Sequence, residues 1–163
     1  MSLAEFLQQL QESSLAWTIS GNPLIFPWIE SVHVLAITFV VGSIGMVDLR
    51  LLGLAGRGDS LARMTKEIVP WTIGAFGVAA VTGTLLFISN AARYWSNGYF
   101  KAKLVLLVLA GLNMLVFHFF IGRRVAEWPA SAPAPMAARV SGGLSLAFWI
   151  VIVVFGRWIG FTL

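Results

Sequence analysis

Two histidines lie within long apolar segments of this chain, and each has neighbours that suit a metal ligand. Glu30 precedes His33 by three residues, so on a helix the two side chains share a face. A carboxylate one turn from an imidazole can fix its tautomer and raise its basicity, as it does behind many metal-bound histidines. His33 is therefore a candidate axial ligand. The alternative is a buried His–Glu pair that only stabilises helix packing.

His118 is the second candidate ligand. Met114 precedes it by one helical turn, and Met46 is expected at a similar depth in the first apolar segment. Imidazole and thioethers form a soft donor set that suits Cu(I) or His/Met ligation of haem iron. The competing interpretation is that both methionines serve packing alone.

The segments that carry these residues have the composition of membrane-spanning helices. Of 163 residues, 58% are hydrophobic and 11% charged, against roughly 25% charged in a soluble domain. About 20 helical residues cross a bilayer core, and a segment in lipid must satisfy its own backbone groups. Spans are predicted at 26–52, 67–93, 99–123 and 138–159. The expected fold is all-α: a single membrane domain over 1–163, with a four-transmembrane-helix bundle.

A short amphipathic helix is expected over residues 1–16, lying in the membrane interface. Its apolar face combines Leu3, Phe6, Leu7 and Leu10. The chain has no cysteine, which excludes disulfides and thiolate metal sites. Its net charge of +4 is small and lies in the loops, so a lipid bilayer is the expected partner and nucleic acid is not.

Ionisable groups within a span are functional candidates, because they are costly in lipid. Asp48 and Arg50 lie near a span end, where interface anchoring explains them. Close to the expected depth of His33 the other spans offer an amide and three cations. These are Asn90, Arg93, Lys103 and Arg157. Together they suit an anionic metal cofactor such as haem b, with His33 on the iron and the cations on its carboxylates.

One haem cannot use both histidines of one chain. Counted from Arg50 and Arg123, which mark the same membrane face, the two imidazoles differ in depth by roughly 17 Å. Three ligand arrangements for the haem iron remain: His33 alone, His33 with a ligand that is not histidine, or two copies of His33 across a two-fold axis. Small residues offer surfaces for a homo-oligomer or for packing inside the bundle. They are Gly42, Gly45, Ala79, Gly83, Gly156 and Gly160.

Several runs of sequence resemble an uncharacterised family of small bacterial four-span membrane proteins. The resemblance covers nearly the whole chain and implies a multi-pass protein of the bacterial inner (cytoplasmic) membrane. The runs are Trp28 to His33, Asp48 to Gly53, Pro70-Trp71, Thr82 to Phe87, Phe100 to Lys103, and Gly111 to Asn113 with His118.

More distantly, spans one and three resemble those of D-type copper-resistance membrane proteins and of the haem-binding membrane protoporphyrinogen oxidase. The similarity lies in an early histidine, here His33, a later glycine, and a lysine that opens span three, here Lys103. Asn113 matches an asparagine of the copper-resistance type. The oxidase has a further histidine near the place of Met114, and this departure argues against porphyrinogen oxidation. The resemblance implies that His33 is a ligand and that Lys103 contacts a cofactor or substrate.

Three functions follow as hypotheses. The first is a haem b-binding protein in redox chemistry or electron transfer, with the haem towards the outer face and a separate redox partner. A membrane oxidoreductase is one form of this hypothesis. The second is a copper-handling protein that uses His33 on one side and His118, Met114 and Met46 on the other. The third is an assembly subunit without a cofactor. No hydrolytic triad, P-loop or zinc motif is present.

The orientation of the chain is testable. Seven Lys and Arg residues fall on the side of the loops after spans one and three, and four on the other side. Positive residues favour the cytoplasm, so a periplasm-active reporter fused after Leu163 should be active and one fused at Gly58 inactive. The reverse activities would invert the topology.

Overall fold

The computed structural model describes residues 2–55, 60–128 and 133–163, and the elements in these ranges are helical. Two short helices, α1 (Leu3–Gln11) and α2 (Ser14–Gly21), precede the first long helix, α3 (Ile25–Leu52). Then come α4 (Leu61–Ser89), the short α5 (Ala91–Ser96), and α6 (Gly98–Val116). A π-helical turn (Phe117–Ile121) and a 3₁₀ turn (Gly122–Glu127) continue α6, and α7 (Met136–Thr162) ends the chain.

Four of these helices are long and apolar enough to cross a bilayer: α3, α4, α6 with its π turn, and α7. Their outward side chains are large and hydrophobic, for example Leu35 at 70% exposed and Phe120 at 77%. Exposure of such an extended apolar surface is unfavourable in water, whereas it is favourable in the hydrocarbon core of a bilayer. The protein is thus an all-α, multi-pass membrane protein with a four-helix bundle, as the sequence predicts.

The helix ends show why the chain breaks where it does. Gly53 ends α3 with a φ of 76°, the left-handed conformation that glycine adopts without penalty. The backbone of Asn90, with φ −155° and ψ 53°, separates α4 from α5. The side chain of Asn97 then caps α6 by accepting hydrogen bonds from the amides of Tyr99 and Phe100.

Two predicted boundaries differ from the structure. The second span was expected at 67–93, but α4 begins at Leu61 and ends at Ser89, so Arg93 lies in α5 rather than in the span. The helix expected over 1–16 is divided, because Ser13 accepts a hydrogen bond from the amide of Ala16 and starts α2. The sequence at 129–135 is rich in Pro and Ala, which predicts a linker between the third and fourth spans, and most of this linker lies outside the described residues.

The bundle packs α3 between α4 and α7, and α7 in turn packs against α6. Its central core joins all four helices through Val40, Ala110, Trp149 and Ile152, with Ala75 packed against them. In the described chain α4 and α6 are not closely packed. They meet instead through aromatic rings, with Phe87 stacked on Phe100 at a centroid distance of 5.3 Å. The α4–α6 side is therefore the loosest side of the bundle.

Hydrogen bonds between side chains tie the helices together. Asn113 of α6 donates to the carbonyl of Ser141 in α7 and accepts from its hydroxyl, both at 3.0 Å. Thr72 of α4 donates to Ser43 of α3 at 2.8 Å. In lipid such bonds have no competition from water, although each contributes only about 0.6 kcal/mol on average.

The Asn113–Ser141 pair makes a test of this packing. Asn113→Leu removes both bonds and leaves Ser141 unsatisfied, so we expect a loss of about 1–2 kcal/mol of unfolding free energy in detergent. Leu112→Ile, at an exposed neighbouring position, is the control and should change little. Equal stability of the two variants would mean that the pair does not hold α6 on α7.

Candidate functional site

His33 makes its polar contacts with the neighbouring helix α4. Its Nδ1 lies 3.0 Å from the hydroxyl oxygen of Thr82, and Ala79 contributes a backbone hydrogen bond to the ring. Thr82 itself donates its proton to the carbonyl of Val78 at 2.7 Å. With the hydroxyl proton directed to this carbonyl, the geometry favours Thr82 as the acceptor of a hydrogen bond from Nδ1–H. The tautomer assigned in this way leaves the lone pair on Nε2, the form in which a histidine ligates a metal.

Gly83 makes the close approach of His33 to α4 possible. A Cβ placed on Gly83 would lie 2.9 Å from Cε1 of His33, closer than real Cβ contacts come. Any side chain there would push the ring away from Thr82. The run Thr82-Gly83 thus supplies both the hydrogen-bond acceptor and the space for the imidazole.

Lys103 comes from α6 to the same level. Its ammonium lies 3.3 Å from the point where a Cβ on Gly156 of α7 would stand. The charge of Lys103 also acts electrostatically on His33. All four spanning helices therefore contribute to one level, which we call the His33 layer: His33, Thr82, Gly83, Lys103 and Gly156. The end of the bundle nearer to it is the His33 end.

The depth of these residues follows from the helix boundaries. His33 lies eight residues after the start of α3, Lys103 five after the start of α6, and Gly156 six before the end of α7. At 1.5 Å per residue each is roughly 8–12 Å inside its helix. The depth argument from sequence thus brings His33 and Lys103 together, as expected. It assigned no role to Thr82, and Gly156 was assigned to packing inside the bundle or to a homo-oligomer surface.

Glu30 has a different neighbour from the one expected. It is exposed, and the contacts of His33 in the described chain run to α4 instead. The charge of Glu30 acts on Tyr94 of α5. Burial of Tyr94, and secondarily this negative charge, raise the pKa of the Tyr94 phenol above its usual range. The imidazole is oriented by Thr82, and Glu30 belongs to the rim of the site.

The remaining predicted cofactor contacts also lie at the rim. Arg93 is exposed and lines a groove of about 780 Å³ with Tyr99 and Phe155. Arg157 is exposed and stacks its guanidinium over the ring of Phe161, 4.7 Å from the centroid. Asn90, at the α4–α5 junction, lines a second groove of about 480 Å³. None of these three is in the His33 layer.

The residues of the second predicted metal cluster lie on the exposed surface of the bundle. Met46 and Met114 are 50% and 58% exposed on different helices, and His118 is exposed in the π turn with its ring against Phe119. Within the described ranges no three His, Asp or Glu side chains converge as a metal site.

Two charged residues behave differently from the sequence interpretation. Asp48 and Arg50 were assigned to interface anchoring, but they are only 4% and 5% exposed. Depth along a helix is visible in the sequence, whereas the direction in which a side chain points is not. Their burial corrects that interpretation and identifies a second polar region, at the opposite end of the bundle.

The geometry of His33 predicts a measurable tautomer. In protein labelled with ¹⁵N-histidine and carrying His118→Ala, His33 should show the Nδ1–H form. Thr82→Val should abolish this preference, because the acceptor is gone, and Gly83→Ala should weaken it by displacing the ring. Thr84→Val is the control, since Thr84 is exposed and bonds to its own helix at Ala80. A dominant Nε2–H form in the unsubstituted site would contradict the assignment.

Comparison with known proteins places the whole bundle in one family. No curated protein and no solved structure matches the chain. A family model matches residues 17–162, which cover α2 to α7 apart from the first residues of α2. The chain therefore belongs to DUF6644, a family of unknown function.

Proposed function

We propose that this protein binds haem b through His33 and serves in one-electron transfer in the membrane. The observation that carries the proposal is the 3.0 Å contact between Nδ1 of His33 and the hydroxyl of Thr82. Because Thr82 directs its own proton to Val78, this contact favours the tautomer in which Nε2 of the membrane-embedded imidazole can ligate a metal. Haem b supplies reversible one-electron exchange at its iron when a histidine holds it. The distant resemblance to a haem-binding membrane oxidase agrees with this choice.

The donor set of the His33 layer would fit one iron ligand and one carboxylate contact of haem b. His33 would hold the iron through Nε2, Thr82 would fix the ring, and the ammonium of Lys103 would pair with a propionate. Arg93 in the groove and Arg157 at the rim are the further cations available to a second propionate. Burial of the Lys103 side chain strengthens its electrostatic contribution at this level.

The chain has no second histidine at the level of His33. His118 lies in the π turn, on the far side of the central core from the His33 layer. We therefore propose a homo-oligomer in which the site lies near a subunit boundary, so that a second copy can contribute the missing ligand. Gly42, Gly45 and Gly160 have open space around them and could allow such packing, whereas Gly156 is occupied by Lys103.

The proposed setting is the bacterial cytoplasmic membrane, with both chain termini outside the cytoplasm and a separate redox partner. In this orientation the His33 end faces outwards. Electrons would then be exchanged near the outer surface, and the cations Arg93 and Arg157 would be available to an approaching partner.

The two histidines provide a matched pair of variants for the cofactor. Protein purified from cells supplied with haem precursor should show a Soret band, which His33→Ala should remove and His118→Ala should leave intact. Lys103→Gln should weaken haem retention by about tenfold, the equivalent of one lost ion-pair contact of about 1.4 kcal/mol. The mass of the same detergent-solubilised sample gives the number of chains per haem.

Three results would contradict the proposal. They are absence of a Soret band even after haem is added to the purified protein, equal loss in both histidine variants, and a band that persists in His33→Ala. A monomer with a full complement of haem would refute the subunit-boundary arrangement but not haem binding itself.

A further inference from the structure

Asp48 is a buried carboxyl group with an unused oxygen. It lies in α3 near the end opposite His33, which we call the Asp48 end, and only 4% of the residue is exposed. Ser145 of α7 forms a hydrogen bond with the carboxyl group, yet Oδ2 has no hydrogen-bond partner. A charged group buried in this way is costly unless a further partner satisfies it. The structure therefore leaves a place for one.

Thr65 has the same deficiency on the adjacent helix. Its hydroxyl oxygen is buried and has no hydrogen-bond partner. Thr65 lies four residues after the start of α4, and Asp48 four residues before the end of α3. Because the two helices are antiparallel neighbours, both residues are roughly 6 Å from the same end of the bundle. The faces that carry them converge at this end, because Leu61, one turn before Thr65, packs with Leu51, one turn after Asp48, and with Ala138 of α7. Two unsatisfied oxygens on converging faces can be satisfied by one shared ligand.

The third helix brings a further oxygen to this level. A Cβ on Gly142 of α7 would lie 3.0 Å from Cβ of Leu51 and 3.3 Å from the carbonyl oxygen of Asp48. Glycine at this position thus allows α7 to lie directly against α3. The hydroxyl of Ser145, three residues further along α7, is thereby held at the carboxyl group of Asp48.

The charges nearby limit what the occupant can be. Arg50 is buried on the same helix and makes contacts of its own, and side chains two residues apart on a helix do not face each other. On α4, Lys66 is exposed, and Arg63 pairs with Glu67 at 2.8 Å on the exposed surface. Across the described ranges Asp48 belongs to no group of three His, Asp or Glu side chains that could hold a metal ion. A single negative charge does not suit a divalent ion.

We infer that Asp48, Thr65 and Ser145 form a binding site for a monovalent hard cation, sodium, between α3, α4 and α7. Carboxylate and hydroxyl oxygens are the hard ligands that such ions take. One carboxylate balances one positive charge, and the ion supplies the partner that Oδ2 and the Thr65 hydroxyl lack. Sodium binding would stabilise the packing of α3, α4 and α7 at the Asp48 end. This site is independent of the proposed haem function.

Thermal unfolding of the purified full-length protein tests the site. Sodium chloride is titrated at constant ionic strength against choline chloride, and the unfolding midpoint should rise with sodium to a plateau. Asp48→Asn keeps the shape of the side chain but should abolish the response. Thr65→Val should raise the half-saturating sodium concentration by at least about tenfold, the effect of one lost ligand contact. Thr84→Val, exposed on the same helix, should respond like the unsubstituted protein.

Several outcomes would overturn the inference. One is an unfolding midpoint that does not depend on sodium, and another is a response that Asp48→Asn retains. An unchanged half-saturating sodium concentration in Thr65→Val also overturns the inference. This variant tests the site even if Asp48→Asn fails to fold. The last contradicting outcome would come from infrared spectra. A band of a protonated carboxylic acid that persists in saturating sodium and disappears in Asp48→Asn would show that a proton occupies the site.

Discussion

Lipid offers no hydrogen-bond partner to the polar side chains inside this bundle, and the need to satisfy them from within the protein sets how the helices meet. His33 contacts Thr82, Ser43 accepts from Thr72, Asp48 bonds to Ser145, and Asn113 pairs with Ser141. These contacts tie α3 to α4 twice, α3 to α7 and α6 to α7. They follow the same helix pairs that pack most closely. Since the energy of each bond is small, their effect is mainly to specify register: sliding a helix by one residue would leave a polar group unsatisfied.

Small residues complete this arrangement by setting distances. Gly83 admits the imidazole of His33, Gly156 admits the ammonium of Lys103, and Gly142 admits the side chain of Leu51. At each place a larger residue would separate two helices that a polar contact holds together. A bundle that depended on apolar shape alone would tolerate alternative rotations of its helices, because leucine packs on leucine in many ways. Polar pairs with glycines beside them exclude most of those helix rotations. They position the His33 layer with residues of the spanning helices alone.

The sequence predicted the all-α class and the four spans because apolar length is a strong signal. It failed at the ends of α4, where Arg63, Lys66 and Glu67 continue the helix beyond the apolar segment and Asn90 ends it early. Depth counted along helices brought His33 and Lys103 together. The same count could not give helix rotation, so Asp48 and Arg50 were taken for surface residues. Thr82 was not identified either, because a threonine in a membrane helix usually bonds to its own backbone, as Thr84 does.

The middle of the bundle separates its two polar ends. Along α3, from Ser43 towards His33, the buried residues are Val40 and Ala36, which present no hydrogen-bonding side chain over roughly 15 Å. The surrounding core residues Ala110, Trp149 and Ile152 close the same level from α6 and α7. A continuous side-chain hydrogen-bond chain from Asp48 to His33 is therefore absent among the described residues. An effect of the Asp48 end on the His33 layer must travel through movement of the helices themselves. Since α3 carries both Asp48 and His33 and packs on α4 and α7, a small shift of α3 is the mechanical route that this architecture provides.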